Sequence, residues 1–367
     1  MTQQEPVSGA AMTGISRRTL FTGAAALGGL GLLTPILSAC GSSTGSAPTG
    51  SAPTGSAPTG SAAIGSAAGI GSGKTIGVSL NGLVEYTRYV AEGVAKVLDG
   101  TSYNLKIVQA NFDVQTELKN LESLISQGVA GLVVLPNTVD TVLSAVKQAK
   151  SAGIPTGIAL WAAPGPLDEY AKGVAHVDSV GGGRLIGDWL KKNAKPGKVV
   201  VVQGVVGQGF SERIDQGLDE SLKGSGFQIV LREQGYFDRS KAVGVVERAL
   251  QAHPDVTTVV SYAAAMGNGV SAYLKQNDIK NITHVTSDAD AEMLTWLGTP
   301  YLAATRYYSA AETGVLATEA VRAAIEGGNP TFKNTVFQDM MTGENKDSIV
   351  AKSPMSYPEY EGKLTDL

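Results

Sequence analysis

Few side chains in this 367-residue sequence are of types that make or break bonds. Cys40 is the sole cysteine, and the three histidines, His176, His253 and His284, lie far apart. None has the short spacing to a second ligand that metal sites use, so neither a bound metal nor a histidine-based acid–base pair is expected. Ser211 lacks the Gly-x-Ser-x-Gly surround of a nucleophile elbow. Gly204-Val-Val-Gly207-Gln-Gly209 follows a strand-like run and opens a helix-like one, as a phosphate loop would. It fits neither the dinucleotide pattern nor the Walker pattern with its lysine, and reads as a tight turn. The expectation is a protein that is not an enzyme and carries no cofactor.

The cysteine has a different use. Ser16-Arg17-Arg18-Thr19-Leu20-Phe21 places twin arginines ahead of Thr22 to Leu37, an uncharged run of Gly, Ala and Leu. That run has the length of a signal h-region and is short for a membrane span. Leu37-Ser38-Ala39-Cys40 follows directly and resembles the bacterial lipobox, in which the cysteine sulfur is acylated and becomes the new N-terminus. Residues 1–39 are therefore expected to be a twin-arginine lipoprotein signal peptide, with Cys40 lipidated and the protein folded before export. Two acyl chains suffice for stable anchoring at the outer face of the cytoplasmic membrane. With no second cysteine, an internal disulfide is impossible. Residues 40–73 are a linker: Ser46-Ala-Pro-Thr-Gly50 recurs at 51–55 and 56–60, then decays into Gly, Ser and Ala. Such a repeat has no apolar face to bury, and so acts as a tether.

From Lys74 the elements alternate regularly. Ile76 to Leu80, Leu105 to Ala110, Gly131 to Leu135 and Thr156 to Ala159 read as strands. Between them lie helical patterns, such as Val142, Ala145, Val146 and Ala149 at helical spacing. The alternation restarts with a helix over Gly181 to Asn193 and strands at Val199 to Gln203, Gln228 to Arg232, Thr257 to Ser261, Thr283 to Ser287 and Leu302 to Thr305. A long helix, Ala310 to Glu326, closes it. Continuous apolar runs mark strands covered on both faces. Two βαβα series predict an α/β protein of two doubly wound parallel-sheet lobes, with any ligand at the carboxyl ends of the strands.

Lys74 to Pro330 resembles the type I periplasmic sugar-binding proteins, the family of ribose and galactose receptors. The resemblance rests on Ile76-Gly-Val-Ser79, Leu121 to Val134, Ala149 to Pro155, His176-Val-Asp178 and Phe237-Asp238-Arg239. His253-Pro-Asp-Val256, Ser287-Asp288 and Leu302-Ala-Ala-Thr305 extend it. It implies lobes joined by a three-segment hinge. The first would comprise 74–175 plus 309–331, and the second 176–308 plus 332–345. A tail, 346–367, would remain, and one reading makes it a strap near the hinge.

The resemblance further implies a ligand ring of Ser79, Tyr86, Thr87, Trp161, Arg213, Phe237, Ala263, Asp288 and Tyr308. Each has a plainer alternative: Trp161 could cover a core edge, Arg213 could pair with Glu212 or Asp215, and Asp288 could cap a helix. Leu160-Trp161 and Ala263-Ala264 stand where ribose and galactose receptors carry Asp-Arg and Asn-Asp pairs. Unpaired buried ligand hydroxyls cost about 1–3 kcal/mol each, so a smaller polyol, a deoxy sugar or a less polar solute is expected. The implied role is a monomeric, exported solute receptor that delivers a small carbohydrate or polyol to an ABC permease. A receptor for a membrane signalling protein is the alternative. A net charge of −4 and the lack of a basic patch argue against nucleic acid.

Overall fold

A computed structural model of the chain describes residues 74–160, 165–330 and 333–364, all within one compact unit spanning 65–367. The signal, Cys40, the linker and Trp161 lie outside the described residues.

The first lobe is built from β1 (Thr75–Leu80), α1 (Glu85–Leu98), β2 (Asn104–Gln109), α2 (Val114–Ser126) and β3 (Gly131–Leu135). It continues through α3 (Val139–Ser151), β4 (Thr156–Leu160) and β5 (Gly173–His176). The second comprises α4 (Ser179–Asn193), β6 (Lys198–Gln203), α5 (Phe210–Leu222), β7 (Gln228–Gln234) and α6 (Arg239–Ala252). Then come β8 (Val256–Ser261), α7 (Ala264–Gln276), β9 (Thr283–Ser287), α8 (Ala291–Trp296) and β10 (Ala304–Tyr308). The chain ends in α9 (Ala310–Ile325), β11 (Lys333–Thr335), β12 (Gln338–Met341) and α10 (Lys346–Lys352).

Two six-stranded sheets result, ordered β11-β5-β4-β3-β1-β2 and β12-β10-β9-β8-β6-β7. All neighbours run parallel except β12, which is antiparallel to β10. The central strands are apolar because helices cover both faces: every residue of β3, and Val199 to Val202 in β6, is buried. Helix starts are fixed by side-chain caps. Asp113, Thr138, Asp178, Asp238 and Ser309 each accept a backbone N–H from the first turn of their helix. Helix α9 returns to the first lobe and packs on α1 and on β3 to β5. The two helices touch backbone to backbone: a Cβ on Gly93 would lie 2.1 Å from the Ala311 carbonyl oxygen, and one on Gly314 would lie 2.0 Å from that of Val90.

Strand β11 corrects one expectation. Placed with the second lobe from sequence, it pairs instead with β5 in the first sheet, and the ladder continues through Val336 N–H to the His176 carbonyl at 2.9 Å. The chain therefore passes between sheets three times: after β5, between β10 and α9, and between β11 and β12. Val177, Tyr308 and Val336, one residue from each passage, form their own buried cluster. Beneath it lies Arg306, fully buried in β10. Its guanidinium donates to Gln338 Oε1 at 2.8 and 3.0 Å, to Ser287 Oγ at 3.3 Å and to the Asp178 carbonyl at 3.4 Å.

A second buried polar cluster lies in the same sheet, centred on the neighbouring strand β9. His284 Nδ1 is 3.1 Å from the Tyr301 carbonyl, which can only accept, so Nδ1 carries the hydrogen. Nε2 faces Ser261 Oγ at 3.0 Å. Burial lowers the His284 pKa from 6.5 to about 4, so the imidazole is neutral in the fold and charges more readily when unfolded. Its contribution to stability is complete above pH 6.5 and is lost as pH falls toward 4. Urea titrations should show wild type losing on the order of 3 kcal/mol more than His284→Gln over that interval. Parallel pH profiles for the two proteins would refute this.

Candidate ligand-binding cleft

The carboxyl ends of both sheets meet where the first turn of α1 abuts the ends of β9 and β10. Here Tyr86, from the first lobe, sets its ring edge-on to that of Tyr308, with centroids 6.1 Å apart and planes at 64°. Arg306 stacks on the same Tyr308 ring, its guanidinium carbon 4.7 Å from the centroid. Burial, and then the charge of Asp288, raises the Tyr86 pKa, so the phenol stays protonated.

Asp288 follows β9 directly in a left-handed conformation, φ 76°. Such a backbone is costly for a side-chain-bearing residue and persists only where its surroundings over-determine it. Three bonds do so. Asp288 N–H donates to the Arg306 carbonyl at 2.7 Å, Thr305 Oγ1 donates to the Asp288 carbonyl, and Ala289 N–H donates to Asp288 Oδ1 at 2.8 Å. Burial, and then the nearby Asp290, lifts the Asp288 carboxyl from 3.8 to about 7. Asp290 itself is spoken for. It accepts from Asn268 Nδ2 at 2.9 and 3.0 Å, and its Oδ1 caps α8 through Met293 N–H.

The other expected residues among those described are placed as follows. Ser79 is fully buried near the end of β1, its hydroxyl unpartnered among the described residues. Ala263 precedes α7, 8 % exposed, and the N–H of Ala264 reaches the Asp288 carboxylate. Phe237 follows β7 at φ 57°, packed on Phe210 with centroids 6.1 Å apart and lying across Gly204, where a Cβ would meet its ring at 2.2 Å. Arg213 is half-buried on α5 with no ion pair or hydrogen bond among the described residues. Its two candidate carboxylates are taken elsewhere. Asp215 is held by Arg232, Gln203 and the Tyr262 hydroxyl, and Glu212 accepts from Gly207 N–H. Thr87 is placed differently in chemical terms: its hydroxyl donates to the Val84 carbonyl at 2.9 Å and accepts from Val84 N–H at 3.0 Å, closing the start of α1. That leaves it little capacity for a ligand.

Two residues escaped sequence reasoning. Asn81, after β1, donates to the Pro136 carbonyl at 3.4 Å while its Oδ1 has no partner among the described residues. Asn137, after β3, spends its backbone N–H on Glu117 Oε1 at 2.9 Å, and its Nδ2, beside the same carboxylate, has no well-aligned partner among the described residues. Both are only 3 % exposed. Buried polar atoms of native proteins are nearly always paired, so a run of orphans at one sheet end marks a place built for another molecule. An Asn next to a strand end was the available signal.

The glycine loop offers no anion cradle. Gly204 N–H is satisfied by Ser211 Oγ, Val206 N–H by Gln234 Oε1 and Gly207 N–H by Glu212. Among the described residues no group of three or more His, Cys, Asp or Glu side chains is placed to hold a metal ion.

A family model described as a periplasmic binding protein domain matches residues 76–329. The chain belongs to the periplasmic binding protein family. The relatives that match it are solute-binding proteins, not enzymes. The ribose import binding protein of Bacillus subtilis is 27 % identical over 256 residues, covering 69 % of this chain and 82 % of that one. That of Salmonella typhimurium is 32 % identical over 184 residues, 48 % of this chain and 60 % of the relative's length. An ABC transporter solute-binding protein from Bacillus halodurans, crystallised with myo-inositol, superposes with a TM-score of 0.70 at 20 % identity, over 76 % of this chain and 98 % of its own. The shared architecture of type I periplasmic binding proteins is thus two parallel-sheet α/β lobes.

If the Asp288 carboxylate accepts a ligand hydroxyl, affinity should fall by up to about tenfold per pH unit below 7, following one-proton linkage. Asp288→Asn should weaken binding and flatten that profile in titration calorimetry. A flat wild-type profile between pH 5.5 and 8.5 would remove Asp288 as an acceptor.

Proposed function

We propose that this chain is the solute receptor of an ABC importer: it binds one small uncharged sugar or polyol between its lobes and presents the closed form to a permease. The observation that carries this reading is the set of groups around Tyr86 and Tyr308. Two aromatic rings supply apolar faces of the kind that stack on sugar C–H surfaces. Asp288 supplies an acceptor, while Ser79 Oγ, Asn81 Oδ1 and Asn137 Nδ2 have no well-aligned hydrogen-bond partner among the described residues. Arg213 adds an unpaired donor fork. This mixture of an apolar wall and a few converging polar groups suits a neutral polyhydroxylated solute better than a strongly charged one. The names of relatives, which include ribose receptors and a protein bound to myo-inositol, point the same way.

In the mechanism, the ligand's hydroxyls take up the orphaned atoms at the ends of β1 and β3, while Asp288 and Arg213 engage it from the second lobe. Rotation about the three passages closes the lobes, and no bond is made or broken. Trp161 would add a third aromatic wall.

Thermal denaturation of the protein against ribose, xylitol, myo-inositol and other sugars and polyols tests the class. A ligand at one hundred times its dissociation constant stabilises by about 2.7 kcal/mol, a rise of a few degrees for a chain of this size. We expect one or more carbohydrate hits, abolished by Asp288→Ala. A response to a non-carbohydrate alone would keep the fold and overturn the substrate class.

Membrane attachment through Cys40 is tested separately. In a bacterial host with lipoprotein processing, the protein should fractionate with membranes and yield an N-terminal peptide beginning at a diacylated Cys40. Cys40→Ala should move it to the soluble fraction. Unchanged partition would overturn the lipid anchor without touching the binding reading.

A further inference from the structure

After β12 the chain does not stop at the second lobe. Asn345 Nδ2 donates to the Met340 carbonyl at 3.0 Å, Lys346 Nζ to the Leu294 carbonyl at 3.0 Å, and Ile349 of α10 is buried, so this stretch is fixed to the second lobe. The next residues run along the β10–α9 passage. The Tyr307 hydroxyl donates to the Ser353 carbonyl and Ser309 Oγ to the Pro354 carbonyl, while Ser353 Oγ donates to Glu312 Oε2 at 2.7 Å. Beyond them a 3-10 turn, Pro358–Lys363, lies on α1 of the first lobe. There Tyr357 N–H donates to Glu92 Oε2 at 2.8 Å, Arg88 pairs with Glu361 at 2.7 Å, and Lys96 Nζ sits 3.7 Å from the Tyr357 ring centroid.

We propose that residues 345–364 form a fourth connection between the lobes, a tether that limits how far they open and so sets the share of ligand-free molecules already near the closed arrangement. Two features carry the inference. The tail is anchored by side-chain bonds to both lobes, so rotation about the three passages must bend it between Ser353 and Tyr357 or break one anchor. It also grips the β10–α9 passage on alternate residues, Tyr307 and Ser309, whereas the intervening Tyr308 faces Tyr86 in the cleft. Movement of Tyr308 during opening is thereby transmitted to the tail. The tail's far end reaches the cleft's lip as well: a pocket of 420 Å³ is lined by Leu83, Val84, Glu85 and Arg88 from the lip, with Glu361 and Leu364 from the tail. A tether that keeps the binding-competent form populated reduces the affinity lost to an open resting state.

The inference needs the two-lobe fold but no particular ligand, so its test requires none. Spin labels at Lys119→Cys on α2 and Glu247→Cys on α6, both exposed and one per lobe, would report the interlobe distance in full-length Cys40→Ser protein by pulsed electron resonance. A chain ending at Ser356 should show a longer or broader distance distribution than the intact chain. Truncation strands the buried Glu92 carboxylate, so a second variant, full-length Glu361→Ala/Tyr360→Phe, which removes the Arg88 pair and the bond from the Tyr360 hydroxyl to Asp99 Oδ2 at 3.3 Å, releases the turn more gently and should shift the distribution in the same direction. If truncation unfolds the protein, the point variant decides alone. Superimposed distributions in the folded variants would overturn the tether and leave the tail a passive brace.

Discussion

A fully buried guanidinium is the piece on which the rest of the molecule depends. Arg306 forms no ion pair among the described residues; it is held by the Gln338 amide, the Ser287 hydroxyl and the Asp178 carbonyl. Asp178 and Gln338 flank two different passages, and Ser287 ends β9, so one side chain fixes where Asp178 enters the second lobe, where β10 leaves it and where β12 returns. Burying a charge is tolerable only when its donors are satisfied, and the planar fork of arginine meets several acceptors at once as a lysine could not. The Val177–Tyr308–Val336 cluster seals this network from water. Tyr308 belongs to both the seal and the cleft, which places the pivot and the recognition surface in van der Waals continuity.

Around that pivot the two lobes repeat one local design. In the first, Phe112 at φ 61° lies across Gly82 and is followed by Asp113, the cap of α2. In the second, Phe237 at φ 57° lies across Gly204 and is followed by Asp238, the cap of α6. In each case the glycine is required because an aromatic ring occupies the space a side chain would need. Each lobe thus presents an aromatic residue on a stiff turn at the same end of its sheet. A side chain held on such a turn has little conformational freedom left to lose.

The sequence carried most of this architecture because the central strands are short, apolar and flanked by helices with clear caps. Gly131–Leu135 and Thr283–Ser287 could be read to the residue. Edge elements were harder. Lys-Asn-Thr of β11 and Gln-Asp-Met-Met of β12 have no apolar alternation, and only pairing with β5 and β10 makes them strands. The strand expected at Leu302 begins at Ala304 because Thr299 and Leu302 bridge in a tight turn first. The resemblance implies a ring that includes Tyr86, Asp288 and Tyr308, and these three side chains lie near one another. Arg306 could not be read from the sequence, since its partners lie 128 residues before it and 32 after it. Thr87 was chosen for its position, but its hydroxyl is consumed by a capping box that position alone does not reveal.

The strand order has a mechanical corollary. The passages leave from β5 and β11 in one sheet and from β10 and β12 in the other, while β2 and β7 lie at the opposite edges. With strands spaced about 4.8 Å apart, each sheet is a lever arm of roughly 20 Å measured from its pivot edge. A swing of given angle therefore carries Phe112 and Tyr236, beyond β2 and β7, through several times the arc travelled by Asp288, one strand from β10. The fulcrum end stays almost still and can keep its hydrogen-bonding geometry tight, whereas the outer rim does the travelling.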